Sequence, residues 1–340
     1  DAGDFIVLLP DADTESCQQL LVRLENQRDL LARLAPEGTQ LQFSIGAAMI
    51  TDEAPDADTL LIRARQHQIL RQYQHEGATD AGEAGATLKL LRQSLLDESL
   101  LLVYQPTVSL KADANEYYEV RIRLPMADRT IYPGEFLDAA NQYGYGERID
   151  RYVISHALRT LAEHEEVPLR LTINLTSNSL LSQTLLSWLT HALRQHKQSP
   201  RQLILQISEL DVLSAPEEAR RFCLQVRELG FELALTHFGC SLDPFRVLGQ
   251  VQADYVKLDR SMLQHICLDA NQRERLHEVV STLHAQGVRV IAPMVEDIEA
   301  LPLLWQSNVN FVQGNCLQQP SQSMEFGMFR EHELSLKSVG

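Results

Sequence analysis

The chain has 340 residues, 44% hydrophobic and 22% charged, a composition of folded globular proteins rather than disordered or fibrous ones. Its 30 Lys and Arg against 46 Asp and Glu give a net charge of −16. Such a surface argues against nonspecific binding to nucleic acid or anionic membrane, yet leaves room for a locally positive pocket that takes a phosphate-bearing ligand. Cys17, Cys223, Cys240, Cys267 and Cys316 are scattered with no CxxC pair, which fits a reducing compartment and argues against a disulfide framework or a zinc ribbon. No apolar run approaches the ~20 residues that cross a bilayer, so a cytoplasmic location is expected.

In chain order, "FIVLLP" reads as a short strand, Thr14 to Leu34 as a helix, "LQFSIGAAMI" as a strand, and Asp58 to about Gln74 as a helix. Residues 76–87, "EGATDAGEAGAT", are small, acidic and without apolar periodicity. They mark a linker over 77–87 between an α/β unit at 1–76 and a larger unit at 88–335. Leu88 to Leu101 has helical spacing and is expected to pack as a hinge helix. Eight strand candidates follow: "LLVYQP", "YYEVRIRL", "LRLTINL", "LILQIS", "FELALTHF", "ADYVKLD", "VRVIAPM" and "VNFVQG". Helical stretches lie between most of them, and "PEEARRFCLQVRELG" and "QRERLHEVVSTLHAQG" each close on glycine. This alternation predicts a (β/α)8 barrel. The loop Lys111 to Asn115 is too short for a crossover helix, so the first two strands are expected to be antiparallel.

In such a barrel the chemistry gathers at the C-terminal strand ends. Those positions are Asn174, Gln206, Thr236, His237, Lys257, Asp259, Pro293 and Gln313, joined by Glu119 within the second strand and Gln105 at the end of the first. The set suits a ligand pocket and is poor in carboxylates for a hydrolase using hard metal ions. His237, with Thr236 and Cys240 as neighbours and no second histidine at ligand spacing, reads as a hydrogen-bonded pocket residue rather than a metal ligand.

The motifs "YQP", "YEVRIR", "INL", "SEL", the "FG" after a strand, "YVKLDRSM" and "VQGNCLQQP" resemble the EAL domain, a family that hydrolyses cyclic di-GMP, over about residues 88–330. Residues before the linker resemble the second half of a GGDEF domain, through "DAGDFIVLLP", "FSIGAA" and "ADTLLIRARQHQILRQYQHEG". The resemblance implies an α/β architecture: a modified (β/α)8 TIM-like barrel with its first strand antiparallel, preceded by a partial α/β GGDEF-like domain. "LQISELD", "HFGCSLDPF", "LWQSNVNFVQG" and "LQQPSQSMEF" are most similar to the FimX-like subgroup, degenerate GGDEF–EAL proteins tied to type IV pili and twitching motility that bind the dinucleotide without cleaving it.

Carried over by that resemblance, Glu119, Asn174, Lys257, Asp259 and Gln313 retain family positions. Four metal-ligand positions are lost, to Gln206, Thr236, His237 and Pro293. The GGDEF signature aligns with Asp1-Ala2-Gly3-Asp4-Phe5, so Gly3 stands where a metal-binding aspartate would. Neither hydrolase nor cyclase activity is expected, nor Mg²⁺ or Mn²⁺ as cofactor. The resemblance implies cyclic di-GMP contacts from Arg123 to phosphate, Asp150 to a guanine edge, Gln105 to the backbone, Met294 packing on guanine and Glu296 bonding to it. Arg121 departs from the family leucine; by strand alternation it shares a face with Glu119 and Arg123, either to clasp phosphate or to fill the pocket by pairing with Glu119. Plainer roles are an Arg123–Asp150 ion pair and a Lys257–Asp259 scaffold pair. A PilZ-family partner and homodimerisation are implied by resemblance alone. A catalytically silent receptor is therefore expected, with a ligand-independent scaffold as the alternative and residual phosphodiesterase activity third.

Overall fold

The computed structural model describes residues 85–327, apart from positions 112, 127, 128, 242 and 265. The expectations for the unit at 1–76, Gly3 and Cys17 included, lie outside the described residues. The first described element is a helix, α1, covering 85–96. It already includes the last positions of the expected linker and ends earlier than the sequence pattern suggested. The reason is local: Glu98 takes a left-handed conformation (φ 50°), and the chain is extended again from Leu101. Leu91 on α1 is fully buried, whereas Leu96 is 70% exposed.

All eight expected strands are present. They are β1 (Leu101–Pro106), β3 (Glu116–Pro125), β5 (Leu169–Asn174), β6 (Leu203–Ser208), β7 (Glu232–Phe238), β8 (Tyr255–Leu258), β9 (Arg289–Ala292) and β10 (Phe311–Val312). Two short strands complete the set, β2 (Val108–Ser109) and β4 (Thr130–Ile131). The helices are α2 (Leu137–Gln142), α3 (Gly146–Glu163), α4 (Ser177–Leu181), α5 (Leu185–His196), α6 (Glu209–Ser214), α7 (Pro216–Glu228), α8 (Pro244–Val251), α9 (Ala270–Ala285) and α10 (Ala300–Gln306). Gly230 and Gly287, just past α7 and α9, have φ of 87° and 77°, the left-handed cap that their sequence position suggested.

The strands run in the order β1-β3-β5-β6-β7-β8-β9-β10-β2. β1 pairs antiparallel with β3, as the short loop required, and β3, β5, β6, β7, β8, β9 and β10 are mutually parallel, while β4 pairs antiparallel with β3 off this path. β2 pairs antiparallel with β10. Only Thr107 separates β1 from β2, so one run of chain borders both β3 and β10 and closes the sheet into a barrel. Tyr117, Ile204, Ala234, Tyr255, Ile291 and Phe311 form a buried layer within it. Tyr117 and Phe311 meet edge to face at 5.0 Å.

Candidate functional site at the barrel mouth

The parallel strands end together, which brings the polar residues of their last turns to one mouth. Glu119, from the middle of β3, is at its centre and only 4% exposed. Its Oε2 accepts from Lys257 Nζ at 2.9 Å and from Arg121 Nη2 at 3.1 Å. Its Oε1 accepts from Asn174 Nδ2 at 2.7 Å. Gln206 donates in turn to Asn174 Oδ1. Burial alone would raise the Glu119 carboxyl pKa, but the Lys257 and Arg121 charges and these hydrogen bonds hold it well below the usual carboxylate range. Burial draws Lys257 below the usual ammonium range, opposed by its pairing with Glu119.

Arg121 thus sits on the same face as Glu119, as alternation required. It also donates to Gln313 Oε1 at 3.4 Å, while Gln313 donates to Thr107 Oγ1 at 3.0 Å. Arg123 lies farther along β3. It donates to the Ile122 carbonyl and stacks over Tyr132 at 4.6 Å. Partial burial, then the like charge of Arg121, lowers its pKa. Two guanidiniums on one strand face lack a carboxylate for each, and that surplus favours an anion.

The end of β7 is irregular. Its register with β8 shifts between Leu235 and Phe238, and His237 has φ of 57°. A bulge of this kind separates two neighbours that plain alternation would treat alike: Thr236 is buried, while the His237 side chain is 63% exposed. His237 Nδ1 lies 3.5 Å from Asp259 Oδ2 and, with the Ser261 hydrogen bonds, brings the Asp259 pKa down to about 2. Lys257 and Asp259 therefore do not pair with each other, contrary to the scaffold expectation. The strand stops at Leu258, and Asp259 caps the following turn by accepting from Ser261 N at 3.0 Å.

Glu209, to which sequence reasoning gave no role, fastens this loop. Fully buried at the start of α6, it accepts from Gly239 N at 2.8 Å and from the Ser241 hydroxyl. Its signal was the acidic residue in "SEL" directly after a strand.

The loop carrying Pro293, Met294 and Glu296 is strapped to the loop after β10. Val295 N donates to Gln313 O at 3.0 Å, and Cys316 N to Val295 O at 3.2 Å. Gly314 is what permits that approach, since a Cβ there would lie 1.9 Å from the Val295 carbonyl oxygen. Met294, at φ 54°, is 52% exposed, and Glu296 is exposed. Gln105 is buried beside these residues. It donates to Asn315 Oδ1 at 3.4 Å and to Gln318 O at 3.3 Å, and its own Oε1 has no partner. The Gln206 Oε1 is also buried without a partner.

Asp150 is not brought to the mouth surface. It is 1% exposed on α3, and its Oδ2 accepts from Thr176 N at 2.8 Å, Thr176 Oγ1 at 2.8 Å and Ser179 Oγ at 2.6 Å. In this arrangement it holds the loop after β5 rather than offering an edge to guanine. Nor does it pair with Arg123, so the expected ion pair is replaced by separate partners for each. Burial raises its pKa to about 7 despite the three donors.

The donor set does not fit two divalent cations. The Glu119 carboxylate is engaged by an ammonium and a guanidinium, Gln206 and Thr236 offer neutral oxygens, and Pro293 offers no side-chain donor.

Solved structures with this fold include the FimX EAL domain of Pseudomonas aeruginosa bound to c-di-GMP, 36% identical, with a TM-score of 0.67 over 70% of this chain and 98% of that one. The Xanthomonas citri FimX EAL domain in complex with c-diGMP, 24% identical, shares the fold at a TM-score of 0.68 over 74% of this chain and 100% of that one. Among curated relatives, the cyclic di-GMP phosphodiesterase PdeF of Escherichia coli K12 is 26% identical over 238 residues, 69% of this chain and 32% of its own length. The probable phosphodiesterase PdeA of the same organism is 24% identical over 331 residues, 94% of this chain and 45% of its length. The chain therefore spans less than half of either relative. The family model for the EAL domain matches residues 89–320, from α1 to past the last strand, and the chain belongs to that family.

Proposed function

We propose that this EAL domain is a catalytically silent cyclic di-GMP receptor, which binds the dinucleotide without cleaving it and passes its occupancy to a protein partner in pilus, motility or biofilm control. The observation that carries this reading is the state of Glu119. A phosphodiesterase needs carboxylates free to hold cations that activate water. Here the one central carboxylate is neutralised by Lys257, and Arg121 leaves a positive charge over, with Arg123 beyond it. A mouth so charged suits the two phosphates of the ligand rather than metal ions. Buried Gln105 and Gln206 oxygens without partners add unmet hydrogen-bonding capacity there. Gln105, Arg121, Arg123, Asn174, Lys257, Asp259, Met294, Glu296 and Gln313 are the proposed contact set around Glu119, and a PilZ-family protein is the proposed partner class.

Calorimetry with cyclic di-GMP in chelator-treated buffer tests this. Binding with a Kd below ~10 μM is expected, with no linear product after Mg²⁺ or Mn²⁺ is added. Absence of binding at that level sinks the receptor reading, and hydrolysis that disappears in Glu119→Ala restores the enzyme. The hydrogen bonds of Arg121 to Glu119 and Gln313 favour a second reading, a ligand-independent scaffold whose mouth that side chain closes. In that case Arg121→Ala raises affinity for the dinucleotide; in the receptor it lowers it.

A further inference from the structure

α1 and α3 flank a cleft of about 460 Å³, lined by none of the residues that form the mouth and within the size range of ligand sites. Its walls carry the guanidiniums of Arg92, Arg148, Arg151 and Arg159. Glu147 pairs with Arg151 at 2.5 Å, and Glu98 with Arg159 at 3.3 Å. Arg92 and Arg148 are exposed, and neither has a carboxylate partner among the described residues. Aromatic rings steady two of the arginines: Arg148 lies 5.7 Å from the Tyr145 ring and Arg151 5.0 Å from that of Trp188. A solvated helix face ordinarily mixes both signs of charge. On a chain of net charge −16, a positive surplus gathered into one concavity is a local exception. Beside it stands Leu96, on the α1 wall and 70% exposed.

We infer that this cleft docks an acidic polypeptide segment of a partner protein, one that carries an apolar anchor residue among its carboxylates. The unpaired arginines supply charge complementarity and orientation, and Leu96 the desolvated contact that gives such an interface its affinity. A free nucleotide would use the guanidiniums but leave Leu96 bare. An anionic bilayer would be repelled by the rest of the chain. The inference does not depend on dinucleotide binding at the mouth.

Fluorescence anisotropy on the 340-residue chain tests it, with a fluorescein-labelled peptide of mixed Glu and Leu as probe and its Lys-and-Leu counterpart as control. The acidic peptide is expected to bind more tightly than the basic one and to weaken as salt rises. The paired reversals Arg92→Glu and Arg148→Glu are expected to reduce affinity ~10-fold or more at unchanged Tm. Leu96→Ser is expected to weaken binding at any salt concentration. Equal binding of the two peptides, or binding unchanged in the double reversal, overturns the inference. So does displacement of the probe by inorganic phosphate or ATP at matched ionic strength, or capture of the chain by phosphatidylserine vesicles in place of the peptide.

Discussion

The two ends of the barrel handle charge in opposite ways. At the N-terminal strand ends, Arg170 and Arg289 share Glu232, with the second contact at 3.1 Å, and the Tyr255 hydroxyl joins the same carboxylate at 3.0 Å. Arg170 also donates to the Arg201 carbonyl at 2.9 Å, Tyr117 donates to Asp113 at 2.8 Å, and Arg289 stacks on Tyr255 at 3.8 Å. Positive and negative groups balance, and the polar side chains named here all have partners. At the mouth, Glu119 faces both Lys257 and Arg121, and the buried oxygens of Gln105, Gln206 and Gln318 lack partners. A satisfied, neutral network holds a fold together, whereas surplus charge and unmet acceptors persist where something else is to be bound.

Substitutions at the two ends should therefore separate stability from binding. The largest effect is expected from Glu232→Ala, which strips two arginines of their shared carboxylate and should cost about 3 kcal/mol in urea denaturation. Dinucleotide affinity of the folded protein should be unchanged; a loss under about 1 kcal/mol would mean that the closed end contributes little. Gly314→Ala forces a Cβ against the Val295 backbone and should cost roughly 1–3 kcal/mol by thermal denaturation. It should weaken ligand binding too, because the displaced loop carries Met294 and Glu296. Arg121→Leu should change stability by less than about 1 kcal/mol, its side chain being 32% exposed. It should still lower cyclic di-GMP affinity ~10-fold, the worth of a charged hydrogen bond.

The smallest effect concerns pH. Burial raises the pKa values of Asp150 to about 7 and Asp211 to about 6, so each favours the fold when protonated. That contribution is complete below the ordinary carboxylate range near about 4 and fades as pH rises through about 7. Asp150→Asn should therefore flatten the decline in Tm across that window, and an unaltered slope would assign the titration elsewhere.

Much of this was legible in the residues. Apolar runs of strand length located the eight expected barrel strands, including β10 within the run 309–314, and a five-residue loop fixed the first pair as antiparallel. The i,i+2 spacing of Glu119 and Arg121 placed them on one face and left two roles open for Arg121, of which the pairing with Glu119 is present. What escaped was whatever depends on where a period breaks. A two-residue strand such as β2 has no period to read. The bulge at Thr236 and His237 gives adjacent residues opposite fates that alternation does not specify. Asp259 shares the spacing of Lys257, yet the strand ends between them and it becomes a cap. Asp150 carries its family aspartate position, but the donors that surround it come from the start of α4 and the residue before it, 26 to 29 positions away, which local spacing does not report.

The seam between β2 and β10 has a consequence for how the chain is made. β1 and β3 form a hairpin and can associate as soon as both have been synthesised. The other border of that same ribbon must wait: Gln313 meets Thr107 across 206 positions of sequence, and Tyr104 exchanges backbone hydrogen bonds with Ser321 at 2.7 and 3.0 Å. Closure is thus the most non-local event in the fold, of the kind that sets slow folding. Until the ribosome has released residue 321, the nascent barrel is an open sheet with strand edges available to other chains, and its final residues act as the latch.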